Sequence, residues 1–139
     1  AGDKAAEVAA RVGLEGALDQ AAGALTIAGR KRLELARALA TEPKLLLLDE
    51  VMAGLNATEI REIVEIIRSI RDAGVTIFLI EHVMQAVMSL SDYTYVLNHG
   101  AMIADGEPRM VTSSPQVIEA YLGHGAAERI AAMAGKIDA

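Results

Sequence analysis

The run Leu45-Leu46-Leu47-Leu48, leading straight into Asp49 and Glu50, constrains this chain more than any other feature. Four consecutive apolar residues just after Pro43, with no polar alternation, predict a fully buried strand around residues 44–49. A second apolar run, Val75 to Ile80, gives way to Glu81 and His82. Between the two, Ile60, Ile63, Val64, Ile67 and Ile70 recur at helical spacing behind Asn56 and Glu59, which stand as a capping-box pair, and Gly74 closes the helix. Strand, helix, strand is a βαβ unit. The expected fold class is therefore α/β, with a mostly parallel sheet flanked by helices and covered on both faces.

The flanking segments fit around that unit. Lys4 to Val12 is Ala-rich and helical in propensity, ending near Gly13, and Gly16 and Gly23 break the next stretch into short pieces. Thr26 is placed to N-cap a helix running through Leu33, Ala36 and Ala40 to a stop at Pro43. Downstream, a short helix of about Val83 to Leu90 leads to a third strand, Tyr93 to Leu97. Asn98-His99-Gly100 then turns the chain into an antiparallel return over Met102 to Ala104. Pro115 fits the first turn of a helix carrying Val117, Ile118 and Tyr121, and beyond Gly123 the Gly/Ala-rich tail holds at most one weak helix.

With 53% apolar residues but only three Tyr and one Phe, the core must be aliphatic, which suits such layers. The absence of cysteine rules out a disulfide framework and thiolate metal sites and fits a reducing compartment. No run approaches a membrane-spanning length and the N-terminus lacks a signal-peptide pattern, so a soluble, intracellular chain is expected. A net charge of −6 argues against nucleic acid as a partner. Positive charge is concentrated at Arg30-Lys31-Arg32, as a local anion site or as a solvated helix start.

Ligands of open parallel sheets bind beyond the carboxyl ends of the strands, where Asp49, Glu50 and His82 are expected to converge. An acid there holds magnesium through water, a second acid orients or deprotonates an attacking water, and a histidine contacts a departing phosphate. The alternative is structural: Asp49 and Glu50 cap the next turn, and His82 is a satisfied edge residue. Leu25-Thr26-Ile27-Ala28-Gly29, a small-residue segment at a helix start, offers backbone N–H groups and the positive end of the helix dipole to an anion.

The order of these pieces carries more than any one of them. An anion-binding helix start is followed by Ala38-Leu39-Ala40, Pro43-Lys44-Leu45-Leu46-Leu47-Leu48-Asp49-Glu50, Ala53-Gly54-Leu55-Asn56 and Ile80-Glu81-His82. This arrangement resembles the ATP-binding cassette ATPases from their signature motif onward, over about residues 5–122. Arg32 to Leu39, Gly54-Leu55-Asn56, Ile80-Glu81-His82 and Val117 to Gly123 look like the ATPase subunits of branched-chain amino acid importers. The resemblance implies that Thr26, Ile27, Ala28 and Gly29 are the signature segment, acting on nucleotide held by a second subunit. It makes Asp49 the Walker B aspartate on magnesium, Glu50 the catalytic glutamate, Asn56 a D-loop residue and His82 the switch histidine. It divides the chain into residues 1–40, a remnant of the helical subdomain, residues 41–108, the C-terminal half of the catalytic core, and residues 109–139, a closing helix and tail. The implied partners are a second ATPase subunit and a transmembrane permease, at the cytoplasmic face of the membrane, with ATP and Mg2+ as cofactors of an intact subunit.

Departures accompany the likeness. Val51 stands where the family usually has Pro, Ile27-Ala28 where it has Gly or Tyr-Gly, and Ala57 where this subfamily often has Pro. Within the 139 residues no two glycines stand five apart, and none of Lys4, Lys31, Lys44 and Lys136 precedes Ser or Thr, so the chain contains no P-loop. The resemblance is thus to the C-terminal portion of a P-loop NTPase fold lacking its N-terminal strands. This chain alone is expected to hold no nucleotide and to self-associate through uncovered sheet. Two other readings remain: an ATPase for another cargo such as urea or amides, and a non-catalytic interaction module.

Overall fold

A computed structural model describes residues 2–137, which divide between Ala86 and Val87 into two compact units. The first opens with α1 (Gly2–Arg11), two short 3-10 turns and α2 (Ile27–Leu39). Lys4 pairs with Glu42, tying α1 to the segment after α2. Arg32 braces three elements at once: its Nη1 donates to the Gly13 carbonyl at 3.3 Å, and its Nη2 pairs with Glu62 of the helix beyond. Gly13 is required there, since its φ is +71° and a Cβ would stand 2.8 Å from Arg32 Nη1. The basic cluster at the α2 start is therefore partly spent on packing.

The βαβ unit follows as β1 (Leu45–Asp49), α3 (Ala57–Asp72) and β2 (Thr76–Ile80). The strands pair in parallel from Leu45 opposite Thr76 to Asp49 opposite Ile80. The capping box forms as the sequence requires: Asn56 Oδ1 accepts from Thr58 and Glu59 N–H at 3.0 and 2.9 Å, and the Asn56 N–H donates to Glu59 Oε2 at 2.9 Å. One stripe of α3 buries Ile63, Val64, Ile67 and Ile70.

One expectation fails. β1 is not buried on both sides: Leu46 and Leu48 are buried, while Leu45 and Leu47 are 53% and 68% exposed, with Phe78 and Ile80 exposed beside them. Among the described residues, β1 and β2 form a sheet of two strands whose second face is uncovered. The uniformly apolar strand is what a fully covered sheet requires. The strand itself is therefore suited to a second layer.

The second unit, after α4 (Met84–Leu90), is built on the antiparallel hairpin of β3 (Thr94–Asn98) and β4 (Ala101–Gly106). Its two turn residues, His99 and Gly100, both have positive φ, +49° and +79°, the backbone of a type I′ turn matching the strand twist. Each strand lies within a residue or two of its expected bounds. α5 (Pro108–Thr112) is a short helix that the sequence reading lacks, with Pro108 in its first turn. α6 (Pro115–Leu122) begins at Pro115 as expected. The tail forms α7 (Ala126–Ile137), whose start is secured by Glu119 of α6: its carboxylate accepts from Gly125 and Ala127 N–H at 2.6 and 3.0 Å. Among the described residues no helix is long and apolar enough to cross a membrane.

Candidate functional site

At the carboxyl end of the parallel pair the chain leaves regular strand geometry. The Glu50 N–H still donates to the Ile80 carbonyl at 2.9 Å, but Glu50 itself turns to φ +46°. The left-handed region costs a residue with a Cβ roughly 1–2 kcal/mol, so the surroundings must hold it there. The consequence is geometric. Glu50 Oε1 stands 3.7 Å from His82 Nδ1, which follows β2 by two residues. Both side chains are open to solvent, at 57% and 67% exposure. A separation of 3.7 Å is beyond a direct hydrogen bond, and the contact is an ion pair when the imidazole is protonated. Asp49 alternates to the other direction. It lies in register with Ile80 and lines a cleft of 210 Å³ with Lys31, Glu34 and Leu47.

The turn after Glu50 is tied back to β2. Ala53 N–H donates to the Glu50 carbonyl at 3.2 Å, and Met52 N–H donates to Glu81 Oε1 at 3.0 Å. Met52 is buried, while Glu81 Oε2 is buried with no hydrogen-bond partner among the described residues. Sequence reading placed Glu81 at the polar end of a strand and within Ile80-Glu81-His82, and gave it no role of its own. Its one available signal was a charge placed between the last apolar residue of β2 and His82.

At the start of α2, Thr26 acts as the N-cap: its Oγ1 accepts from Gly29 N–H at 3.1 Å, and its carbonyl accepts from Arg30 N–H at 2.9 Å. Glycine suits position 29 because a Cβ would approach Leu25 Cβ to 3.2 Å. The cap removes one donor, the Gly29 N–H, from the anion site expected here, leaving the N–H groups of Ile27 and Ala28 at the positive end of the helix dipole. Ile27 is exposed, and its Cγ2 lies 3.9 Å from where a Gly54 Cβ would stand, so segments 26–29 and 53–56 are brought together. The Asn56 side chain is engaged in the α3 cap.

Asp49, Glu50 and His82 thus share the end of the parallel pair, with Glu50 and His82 adjacent. Among the described residues no group of three His, Asp or Glu is arranged to hold a metal ion unaided. A magnesium ion at Asp49 would take its other ligands from water and phosphate, which is how that ion is commonly held.

Known proteins are similar to this chain in sequence and in fold. Residues 1–53 match the ABC transporter family, and residues 101–127 match the family described as branched-chain amino acid ATP-binding cassette transporter. The high-affinity branched-chain amino acid transport ATP-binding protein LivG of Escherichia coli (strain K12) is 43% identical over 122 residues, 87% of this chain and 48% of LivG. The protein of the same description called BraF, from Pseudomonas aeruginosa, is 45% identical over 106 residues, 76% of this chain and 42% of BraF. A crystal structure of the ADP conformation of an ATP-binding cassette of an ABC transporter is similar with a TM-score of 0.79 at 32% identity, covering 88% of this chain and 50% of that one. The chain spans about half the length of the curated relatives it matches.

Proposed function

The chain belongs to the ATP-binding cassette ATPases, in the group that resembles branched-chain amino acid transport subunits, and from this we propose that it carries the hydrolytic edge of an importer's ATP-hydrolysing subunit. The observation that carries the reading is the approach of Glu50 to His82 at the end of two parallel strands. A carboxylate open to solvent at that point accepts a proton from water, and Glu50 is assigned that role. His82, within reach of the same spot, donates a hydrogen bond to an oxygen of the phosphate being released. Asp49 holds magnesium through water, and the ion supplies charge neutralisation at the phosphates when it is bound with ATP.

The amides and side chains of Thr26, Ile27, Ala28 and Gly29 are assigned to nucleotide held by a second ATPase subunit, with Asn56 beside them. In this scheme residues 1–40 serve the helical subdomain, residues 41–108 the catalytic core and residues 109–139 the closing helix and tail. The subunit works at the cytoplasmic face of the membrane, attached through a permease. In the intact subunit carrying this segment, Glu50→Gln abolishes MgATP hydrolysis and leaves ATP binding in place. Turnover that survives the substitution refutes the base role.

A further inference from the structure

We propose that Glu81 is a positioning residue that sets the distance between Glu50 and His82 by clamping the turn after Glu50 to the end of β2, a role that rests on the ATPase reading of that edge. Glu50 occupies a backbone region that its neighbours must impose. Its amide is anchored on one side, by the hydrogen bond to the Ile80 carbonyl. Two residues on, Met52 N–H is anchored to the Glu81 carboxylate. Both anchors thus lie in the two residues that immediately precede His82. Whatever moves the end of β2 therefore moves the Glu50 turn with it, and the 3.7 Å separation of the two side chains is held from both flanks of Glu50.

The chemistry of the anchor supports a dedicated role. A hydrogen bond to a carboxylate is stronger than one to a neutral acceptor. The cost is visible at the other oxygen, since Glu81 Oε2 is buried without a partner among the described residues. Burying an unpaired polar atom is unfavourable, and a Val, Ile or Thr would end the strand without that cost. Glu81 does not face the reacting groups through any contact in the structure; it acts through Met52 and the turn.

Two measurements test this. Amide hydrogen exchange on the 139-residue chain reads the clamp directly, without ATP. Glu81→Ala accelerates exchange at Met52 by roughly tenfold or more, while the amides of Ile63 to Ile70 keep their protection, and Glu81→Gln, which retains an acceptor oxygen, keeps Met52 slow. Unchanged Met52 exchange in Glu81→Ala, or equal exchange in the Ala and Gln variants, overturns the proposal. In the intact ATPase carrying this segment, Glu81→Ala lowers kcat with KM for MgATP unchanged, and Glu81→Gln restores most of it. A Gln variant as slow as the Ala variant, or a parallel rise in KM, overturns the positioning role. An unsubstituted intact subunit that hydrolyses no MgATP overturns the ATPase reading instead, and the exchange result still decides whether Glu81 clamps the turn.

Discussion

Tyr93 donates its phenolic hydrogen to the Asp105 carboxylate across the β3–β4 hairpin, and this hydrogen bond, reinforced by the carboxylate's charge, raises its pKa above the usual tyrosine value. The sign follows from which state holds the proton more tightly. The folded hairpin does, so the contact's contribution to stability is complete below the ordinary tyrosine pKa and is lost as pH rises through the raised one. Asp105→Asn is expected to move the Tyr93 midpoint down in an ultraviolet tyrosinate titration, assigned against Tyr93→Phe. Asn56 illustrates a residue with a structural duty regardless of any catalytic one. Because its side chain satisfies two amides of α3, Asn56→Ala is expected to lower stability by about 1 kcal/mol in urea unfolding, and Asn56→Asp to restore it. Both features differ in how far they were readable. The cap could be seen in the spacing of Asn56 and Glu59, whereas the Tyr93–Asp105 bond depends on strand pairing that places residues 12 apart in the sequence side by side.

β1 shows how a correct element can conceal a wrong environment. A uniformly apolar run has no phase, so it identifies a strand without saying which of its faces is covered. In the structure the coverage alternates, and the energetic consequences should alternate too. Leu48→Ala removes a buried side chain and is expected to cost about 2–5 kcal/mol of unfolding free energy. Leu47→Ala, one residue earlier and on the uncovered face, is expected to cost about 0.5 kcal/mol or less. Denaturant titration of the two variants reads the difference, and equal costs would contradict the placement of β1. α3 is the opposite case. Its isoleucines repeat with the helical period, and that stripe is the one that the fold buries.

Taken as one chain, the 139 residues combine the acids proposed for hydrolysis, Asp49 and Glu50, with no phosphate-binding loop. Asp49 and Glu50 then face a polyanion with little positive charge to offset the repulsion, and calorimetric titration of the chain with MgATP is expected to give no micromolar binding. The uncovered face of Leu45, Leu47, Phe78 and Ile80 predicts a second property. An apolar patch of this kind beside open strand edges favours self-association, so light scattering should give a mass above the 14.7 kDa of one chain. Leu47→Lys combined with Phe78→Lys should return the mass toward that of a monomer. A clean monomer in the unsubstituted chain would count against this.

Local chemistry was enough to identify the βαβ unit, the caps at Thr26 and Asn56, the hairpin turn at His99-Gly100 and the acids at the end of β1, because periodicity, capping residues and turn residues act within a few positions of themselves. It marked Asp49, Glu50 and His82 as candidates on one sheet edge. It did not reach the bare second face of β1, the left-handed backbone of Glu50 or the bond from Met52 to Glu81. Those depend on the register that sets Asp49 opposite Ile80, a pairing between segments 31 residues apart whose alignment no local pattern encodes.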